Sequence, residues 1–437
     1  MFLSLALIGT YSLLLGSIRY GGLDDLLLRA RMEIAGYRPH PQFVPTPLPT
    51  SVETLLAIVT EHPPAALTPS PPRALPSPVS SPAASPAAAP SSIPSPSVAH
   101  YTAQTAVELT GLTHMWQQWN NCGPATLAMN LSYFGHLMDQ AEVAASLKGN
   151  QDDKNVSPEE MADFARAQGL NALVLVNGDF DRLRLLLSNG LQVIIETWHE
   201  PEPGDGMGHY RLLTGYDDKS QHWLVFDSFD STGVDLNQPY GGIRPSYDEV
   251  DELWGVFNRT YIVIYPDDLT PVVLSILAEY SDDAIMWQRA LQHAQIEVEQ
   301  QPDSAFVWFN LGTDLVALDQ FEQAAEAYDR ARVIGLPWRM MWYQFGAFRA
   351  YYEIDRYEEL IRLADATIAT ADNIEEIYYW RGLGLAAQGD TAGARQAWQK
   401  AIELNPSYPE SAAALAAFEQ PPLDDTRPES MLYTSEG

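Results

Sequence analysis

The stretch 117–135, QQWNNCGPATLAMNLSYFG, holds the only cysteine among 437 residues. Gly123 and Pro124 follow Cys122 directly, and proline is favoured in the first turn of a helix. Apolar residues at helical spacing, Leu127, Leu131 and Phe134, come next. The pattern predicts that Cys122 stands at or just before a helix N-terminus. The helix dipole favours an anion there, and unpaired backbone N–H groups point outward. Both effects lower a thiol pKa, and the thiolate is the nucleophile. Attack on a carbonyl also needs donors for the oxyanion. The amide of Gln117 or Gln118, with the N–H of Cys122 itself, would supply two.

A thiol nucleophile needs a base. Nine histidines are present. His209 is the best placed: it follows the polar loop GDGMG and opens the strand-like run HYRLLTG. His136 lies at the far end of the thiol's own helix, some ~20 Å away at ~1.5 Å per residue. His199 sits in the acidic loop WHEPEPGDG and is expected in solvent. His222 also begins a strand-like run. The base needs an orienting carboxylate that fixes its tautomer. Asp227 ends the run HWLVFD, one hairpin from His209, with Asp230 as the fallback.

The elements that must position these groups are legible in outline. SPEEMADFARAQG carries helix start signals at Ser157, Pro158 and Glu160 and a stop at Gly169. Asp179 is placed to cap a second helix ending near Asn189-Gly190. The runs LQVIIETW, HYRLLTGY, HWLVFD and YIVIY read as strands. A helical front half thus precedes a β-rich back half, an α+β domain over 101–268 with a small antiparallel sheet packed on helices.

From 269 to 420 the pattern turns helical and periodic. Trp308, Leu311-Gly312, Ala324, Tyr328 and Ala331 have the spacing of a 34-residue helix-turn-helix unit. Trp342 with Phe345-Gly346 begins a second unit, with an apparent insertion near 352–357. Tyr378, Arg381-Gly382, Leu385, Ala394, Trp398, Ala401 and Pro406 form a third. These residues resemble tetratricopeptide repeats, an all-α solenoid whose concave face commonly binds protein partners.

At the other end, residues 2–18 are nearly all apolar and uncharged, long enough to span a bilayer. With no basic segment before it, the run over 1–20 resembles an anchor more than a cleaved signal. The span 21–100 is a Pro/Ser/Ala-rich linker holding more than half of the chain's 32 prolines, an extended, disordered stalk. The arginines after the apolar run favour a cytoplasmic C-terminal side. The stalk favours the extracytoplasmic side, which is the expectation adopted. The tail 421–437 reads as disordered. A net charge of -32 argues against nucleic-acid binding. One cysteine excludes an internal disulfide and a cysteine-rich zinc site. No metal or cofactor is expected.

The motifs QQWNNCGPATLAMNLSYFG, GMGHYRLLTGYDD and WLVFDSF resemble those of bacteriocin-processing (double-glycine) peptidase-like domains, a papain-like cysteine peptidase group. The resemblance covers roughly 113–266. It implies Cys122 as nucleophile, His209 as general base, Asp227 as orienter and Gln117 as oxyanion donor. The family glutamine stands six before the cysteine, where this chain has Trp116, so the donor is Gln117 or Gln118. The expected function is a membrane-tethered cysteine peptidase acting on a peptide or protein, with repeats that bind a protein partner. The alternatives are an inactive papain-like scaffold and an acyltransferase using the same residues.

Overall fold

The computed structural model describes residues 41–48, 100–200, 204–235 and 237–419. The apolar run 2–18, the stretch 49–99 and the tail 421–437 lie outside the described residues, and with them the expected anchor, most of the stalk and the tail. Among the described residues, no helix is long and apolar enough to cross a membrane.

Six strands build one antiparallel sheet: β1 (Ala106–Glu108), β2 (Asn171–Leu175), β3 (Val193–His199), β4 (Met207–Asp217), β5 (His222–Phe226) and β6 (Tyr261–Tyr265). Their order is β1-β4-β3-β6-β2, with β5 also paired to β4. In β3 and β6 the apolar residues run without alternation, because helices cover both faces. Ile194, Ile262 and Ile264 pack with Leu127, Leu131 and Met161. These come from α1 (Cys122–Tyr133) and α3 (Pro158–Ala167), which flank α2 (Gln140–Leu147) in the chain. Val193, Ile195 and Val263 face the other way, onto Leu183, Leu186, Trp254 and Val273. The elements there are α4 (Phe180–Ser188), α5 (Tyr247–Gly255), α6 (Thr270–Leu277) and α7 (Asp283–Gln300). Each fully buried leucine contributes about 1.5–3 kcal/mol to this sandwich.

Local signals explain where the helices start. Ser157 accepts from the Glu160 N–H, and Glu160 reaches back to the Ser157 N–H, so both halves of a capping box are made. Asp139 and Glu142 form a second box at α2 that the sequence reading passed over. Asp179 caps α4 through the Arg182 N–H.

The repeat region comprises α8 (Ala305–Ala317), α9 (Phe321–Ile334), α10 (Gly346–Glu353), α11 (Tyr357–Ile368), α12 (Glu375–Ala387), α13 (Thr391–Leu404) and α14 (Pro409–Glu419). The recurrent glycine and aromatic form a contact pair. A Cβ on Gly312 would lie 2.8 Å from the Tyr328 ring, and one on Gly382 would lie 2.4 Å from Trp398 Nε1. The middle unit corrects the expected period. Trp342 closes a 3-10 turn, Trp338–Trp342, and no helix starts until Gly346. Gly335 at φ 121 and Pro337 break the chain ahead of it.

The linker expectation also needs amending. Residues 41–48 lie extended against the repeats. The Val44 N–H donates to Leu336 O (2.8 Å), Leu48 N–H donates to Glu359 (2.7 Å), and Arg332 donates to Pro45 O (2.8 Å). Val44 supplies the apolar anchor, and prolines disfavour any competing helix here.

The sheet domain and the repeats share a core. Trp198 and Phe257 belong to the same apolar cluster as Phe309 and Tyr328. Asn258 donates to Asp314 (2.6 Å) and Asn310 to Gly255 O (2.7 Å) across the same seam.

Candidate active site

Cys122 is the first residue of α1, half-buried, with a free thiol. Asn121, the cap residue, makes no side-chain cap bond, so the end of the helix stays open toward the sulfur. Burial pushes the thiol pKa up. The hydrogen bond and positive charge of His209, with the backbone N–H groups of Tyr210 and Gly123, outweigh it and bring the pKa below its ordinary value. The loop ahead of the helix is pinned by Gln140 of α2. Its Oε1 accepts from the Gln118 N–H (2.6 Å) and the Asn121 amide (3.3 Å), and its Nε2 donates to Trp116 O (2.7 Å).

His209 stands near the start of β4 and is buried. Its Nε2–H donates to Asp227 Oδ1 at 2.9 Å. That occupies one ring edge and leaves Nδ1 for Cys122. Burial alone would lower the imidazole pKa. The Asp227 charge and hydrogen bond, and the sulfur, raise it to about 9. The two groups therefore favour a thiolate–imidazolium pair.

Asp227 is fully buried just past β5. Its Oδ1 also accepts from the N–H groups of Phe229 (2.7 Å) and Asp230 (2.8 Å), and Oδ2 lies 3.0 Å from Arg211 Nε. Burial pushes this carboxyl up, and His209, Arg211 and the backbone donors more than reverse it, holding it well below the usual carboxylate range. Asp230 contacts Arg211 at 3.8 Å and is not the histidine's partner.

The two glutamines separate. The Gln117 N–H donates to Ser228 O (2.8 Å), and its Oε1 accepts the Ser228 hydroxyl (2.9 Å). Gln117 is thereby held beside Ser228, the residue that follows Asp227. The Gln118 side chain is exposed. So the structure brings Cys122, His209 and Asp227 together, with Gln117 alongside, and leaves Gln118 and Asp230 outside.

Other histidines take different places. His199 is not in solvent: it ends β3, half-buried, with its ring centroid 5.6 Å from that of His209. Burial and the neighbouring His209 lower its pKa to about 4, so it stays neutral beside a charged ring. His114 donates to Asp227 O (2.8 Å) and stacks on Tyr240 at 3.8 Å. A cavity of about 360 Å³ lined by His114, Phe226 and Tyr240 opens on that side and does not include Cys122. His222 bonds the Ser220 carbonyl in the far hairpin.

Sequence reasoning missed Arg211, Gln140 and Glu196. Arg211 could have been found from period 2, since residues 209 and 211 share a face of β4. Gln140 acts across a loop and has no local signature. The repeat region was also not anticipated here. Arg339, in the 3-10 turn, pairs with Asp205 (2.6 Å) and donates to the carbonyls of Asp205 (3.0 Å) and Gly206 (3.1 Å), just ahead of β4. The Tyr343 ring lies 3.2 Å from where a Gly208 Cβ would be.

Comparison with known proteins gives two family matches: the Peptidase_C39 like family over residues 101–259 and the tetratricopeptide repeat over 375–408. No curated protein sequence matches the chain. Solved structures it resembles include a C39-like peptidase from Bacillus anthracis, with 16% identity, 37% of this chain and 98% of that one covered, and a TM-score of 0.30. Another is the peptidase domain of Streptococcus ComA, an ABC transporter of a quorum-sensing pathway, with 15% identity, coverage of 36% and 100%, and a TM-score of 0.28. MamA from Desulfovibrio magneticus RS-1 matches at 18% identity, with coverage of 30% and 74% and a TM-score of 0.28.

Proposed function

With residues 101–259 assigned to the peptidase C39-like family and 375–408 to the tetratricopeptide repeats, we propose that this chain is a cysteine peptidase using Cys122, His209 and Asp227. The single observation that carries the reading is the buried imidazole bonded to Asp227 and close enough to the thiol at a helix N-terminus that each perturbs the other's pKa.

The Cys122 thiolate attacks the carbonyl carbon of a peptide bond. The N–H of Cys122 and the NH2 of Gln117 receive the oxyanion. The intermediate collapses with C–N cleavage as His209 passes its proton to the leaving amine, giving a thioester. Water, deprotonated by His209, then attacks the thioester; the C–S bond breaks, the carboxylic acid leaves, and the thiolate–imidazolium pair is restored. Asp227 holds the ring orientation and stabilises its cation through both steps. The repeats add a protein-binding surface. The apolar run 2–18, outside the described residues, would tether the enzyme to a membrane; carbonate washing of membranes carrying the full chain, which releases peripheral proteins only, tests that part.

The test is labelling of the full chain by a thiol-directed peptide electrophile. Wild type should label at one site, and Cys122→Ala and His209→Ala should each abolish labelling. Equal labelling of wild type and His209→Ala overturns the assignment. Added amine intercepting the acyl group faster than water would identify an acyltransferase instead.

A further inference from the structure

Glu196 is a buried carboxylate with no assigned role. It lies mid-strand in β3 and pairs directly with Tyr210 on β4. Directly opposed residues project from the same face of a sheet, with Cβ atoms about 5 Å apart. The Tyr210 backbone is one of the groups that hold the Cys122 thiol low, so Glu196 stands one cross-strand step from a neighbour of the nucleophile. Its side is the side of α1: the Tyr210 ring is 3.4 Å from where a Gly123 Cβ would be.

Glu196 is only 6% exposed. Among the described residues, no hydrogen bond or ion pair reaches its carboxylate. Its oxygens are nevertheless not among the buried atoms sealed from solvent. Such an acid is normally paired, because an unpaired buried charge is costly. The charges within its reach are all negative, Glu159 and the Cys122 thiolate. Burial, then Glu159 and Cys122, hold its pKa well above the carboxylate range, the condition of a group waiting for a counter-charge.

Aromatic rings from two other segments close over the strand beside it. Gly208, the next residue on the same face, contributes none, and its Cβ position is 3.2 Å from both the Phe257 and Tyr343 rings. Tyr343 comes from the repeat region. It lies within reach of the charges of both Cys122 and Glu196. An unpartnered buried carboxylate with tyrosines as neighbours suits a cation, which gains from the ion pair.

We propose that Glu196, with Tyr343 of the repeats, forms a subsite for a positively charged nitrogen of the substrate, next to the bond attacked by Cys122. This deepens the peptidase reading and rests on it. The nitrogen is either a lysine or arginine side chain or the free α-amine of a short peptide.

The experiment uses the full chain and four peptidyl acyloxymethyl ketones: lysine or norleucine beside the reactive carbon, each with a free or acetylated N-terminus. The readout is the rate of Cys122 alkylation. A side-chain subsite predicts at least tenfold faster reaction of the lysine pair whatever its N-terminus. An α-amine subsite predicts the same advantage for the free N-terminus whatever its side chain. Glu196→Gln should erase the advantage while iodoacetamide still alkylates Cys122 at a thiolate-like rate. Equal rates for all four probes in wild type overturn the subsite, and that comparison stands even if the variant fails to fold. Slow, thiol-like iodoacetamide reaction in wild type would instead strike at the catalytic reading, so the two failures are distinguishable.

Discussion

Replacing Asp227 by asparagine keeps the shape of the side chain and removes its charge. Asp227 is the leading cause that raises His209 to about 9 from an ordinary 6.5, an interval worth about 3 kcal/mol at ~1.4 kcal/mol per tenfold change. His209 is raised, so its contribution to stability is complete below 6.5 and is lost as pH climbs through about 9. Catalysis follows the same limb, because the leaving amine takes its proton from the imidazolium. In Asp227→Asn the weaker imidazolium supports the thiolate less, so the onset of iodoacetamide alkylation should move to higher pH, and alkylation at pH 7.5 should slow by about tenfold or more. Arg211, nearly fully buried and 3.0 Å from Asp227 Oδ2, would lose its counter-charge, costing on the order of 3–5 kcal/mol. The double variant Asp227→Asn/Arg211→Met removes both charges together. It should recover much of the lost melting temperature and none of the lost reactivity. The assay is the rate of Cys122 alkylation between pH 5 and 10, followed by intact mass. An Asp227→Asn profile that overlays the wild type would refute the electrostatic argument.

Other outcomes follow from the same geometry. Arg339→Ala releases the chain ahead of β4 from the repeats; alkylation by a peptide electrophile should slow by about fivefold to tenfold with a shifted pH profile, and Arg339→Lys should recover part of it. An unchanged profile would make Arg339 merely structural. Asp153 is buried against Glu375 and Glu160, its Oδ2 has no hydrogen-bond partner, and burial and those acids, opposed by Lys148, raise it to about 8. Folding therefore binds protons between the ordinary carboxylate range and pH 8, and stability should fall as pH rises through that window. Melting temperatures from pH 5 to 8.5 should decline in wild type and decline less in Asp153→Asn; parallel curves would contradict this. A Cβ on Gly206 would lie 2.0 Å from Trp198 Nε1, so Gly206→Ala should destabilise by about 1–3 kcal/mol, read from denaturant midpoints.

The parts that sequence could carry are those with local causes. Gly123-Pro124 marks the helix start at Cys122, Ser157 and Glu160 announce their capping box, and VIIETW, HYRLLTGY and YIVIY emerge as strands. Strand β2, NALVL, was passed over because five residues between a helix stop and a turn carry little period. The middle repeat misled, since Trp342 keeps the 34-residue offset while Gly335 and Pro337 divert the backbone. At the site, Cys122, His209 and Asp227 sit at element ends, where local pattern places them. Gln140, Arg211, Glu196 and Tyr343 matter through contacts made only when distant segments fold together. The docking of residues 41–48 on the repeats is equally tertiary: prolines announce an extended chain, and nothing in them announces what it lies against.

The central claim, that one thiol, one imidazole and one carboxylate cut peptide bonds, is met most directly by incubating the full chain with a diverse peptide mixture and sequencing the new termini. The account predicts new termini with wild type, enriched for a cationic residue or a free amine near the cut, and none with Cys122→Ala. Identical peptide patterns for the two proteins, while the wild-type thiol titrates near the ordinary cysteine value of ~8.5, would contradict it.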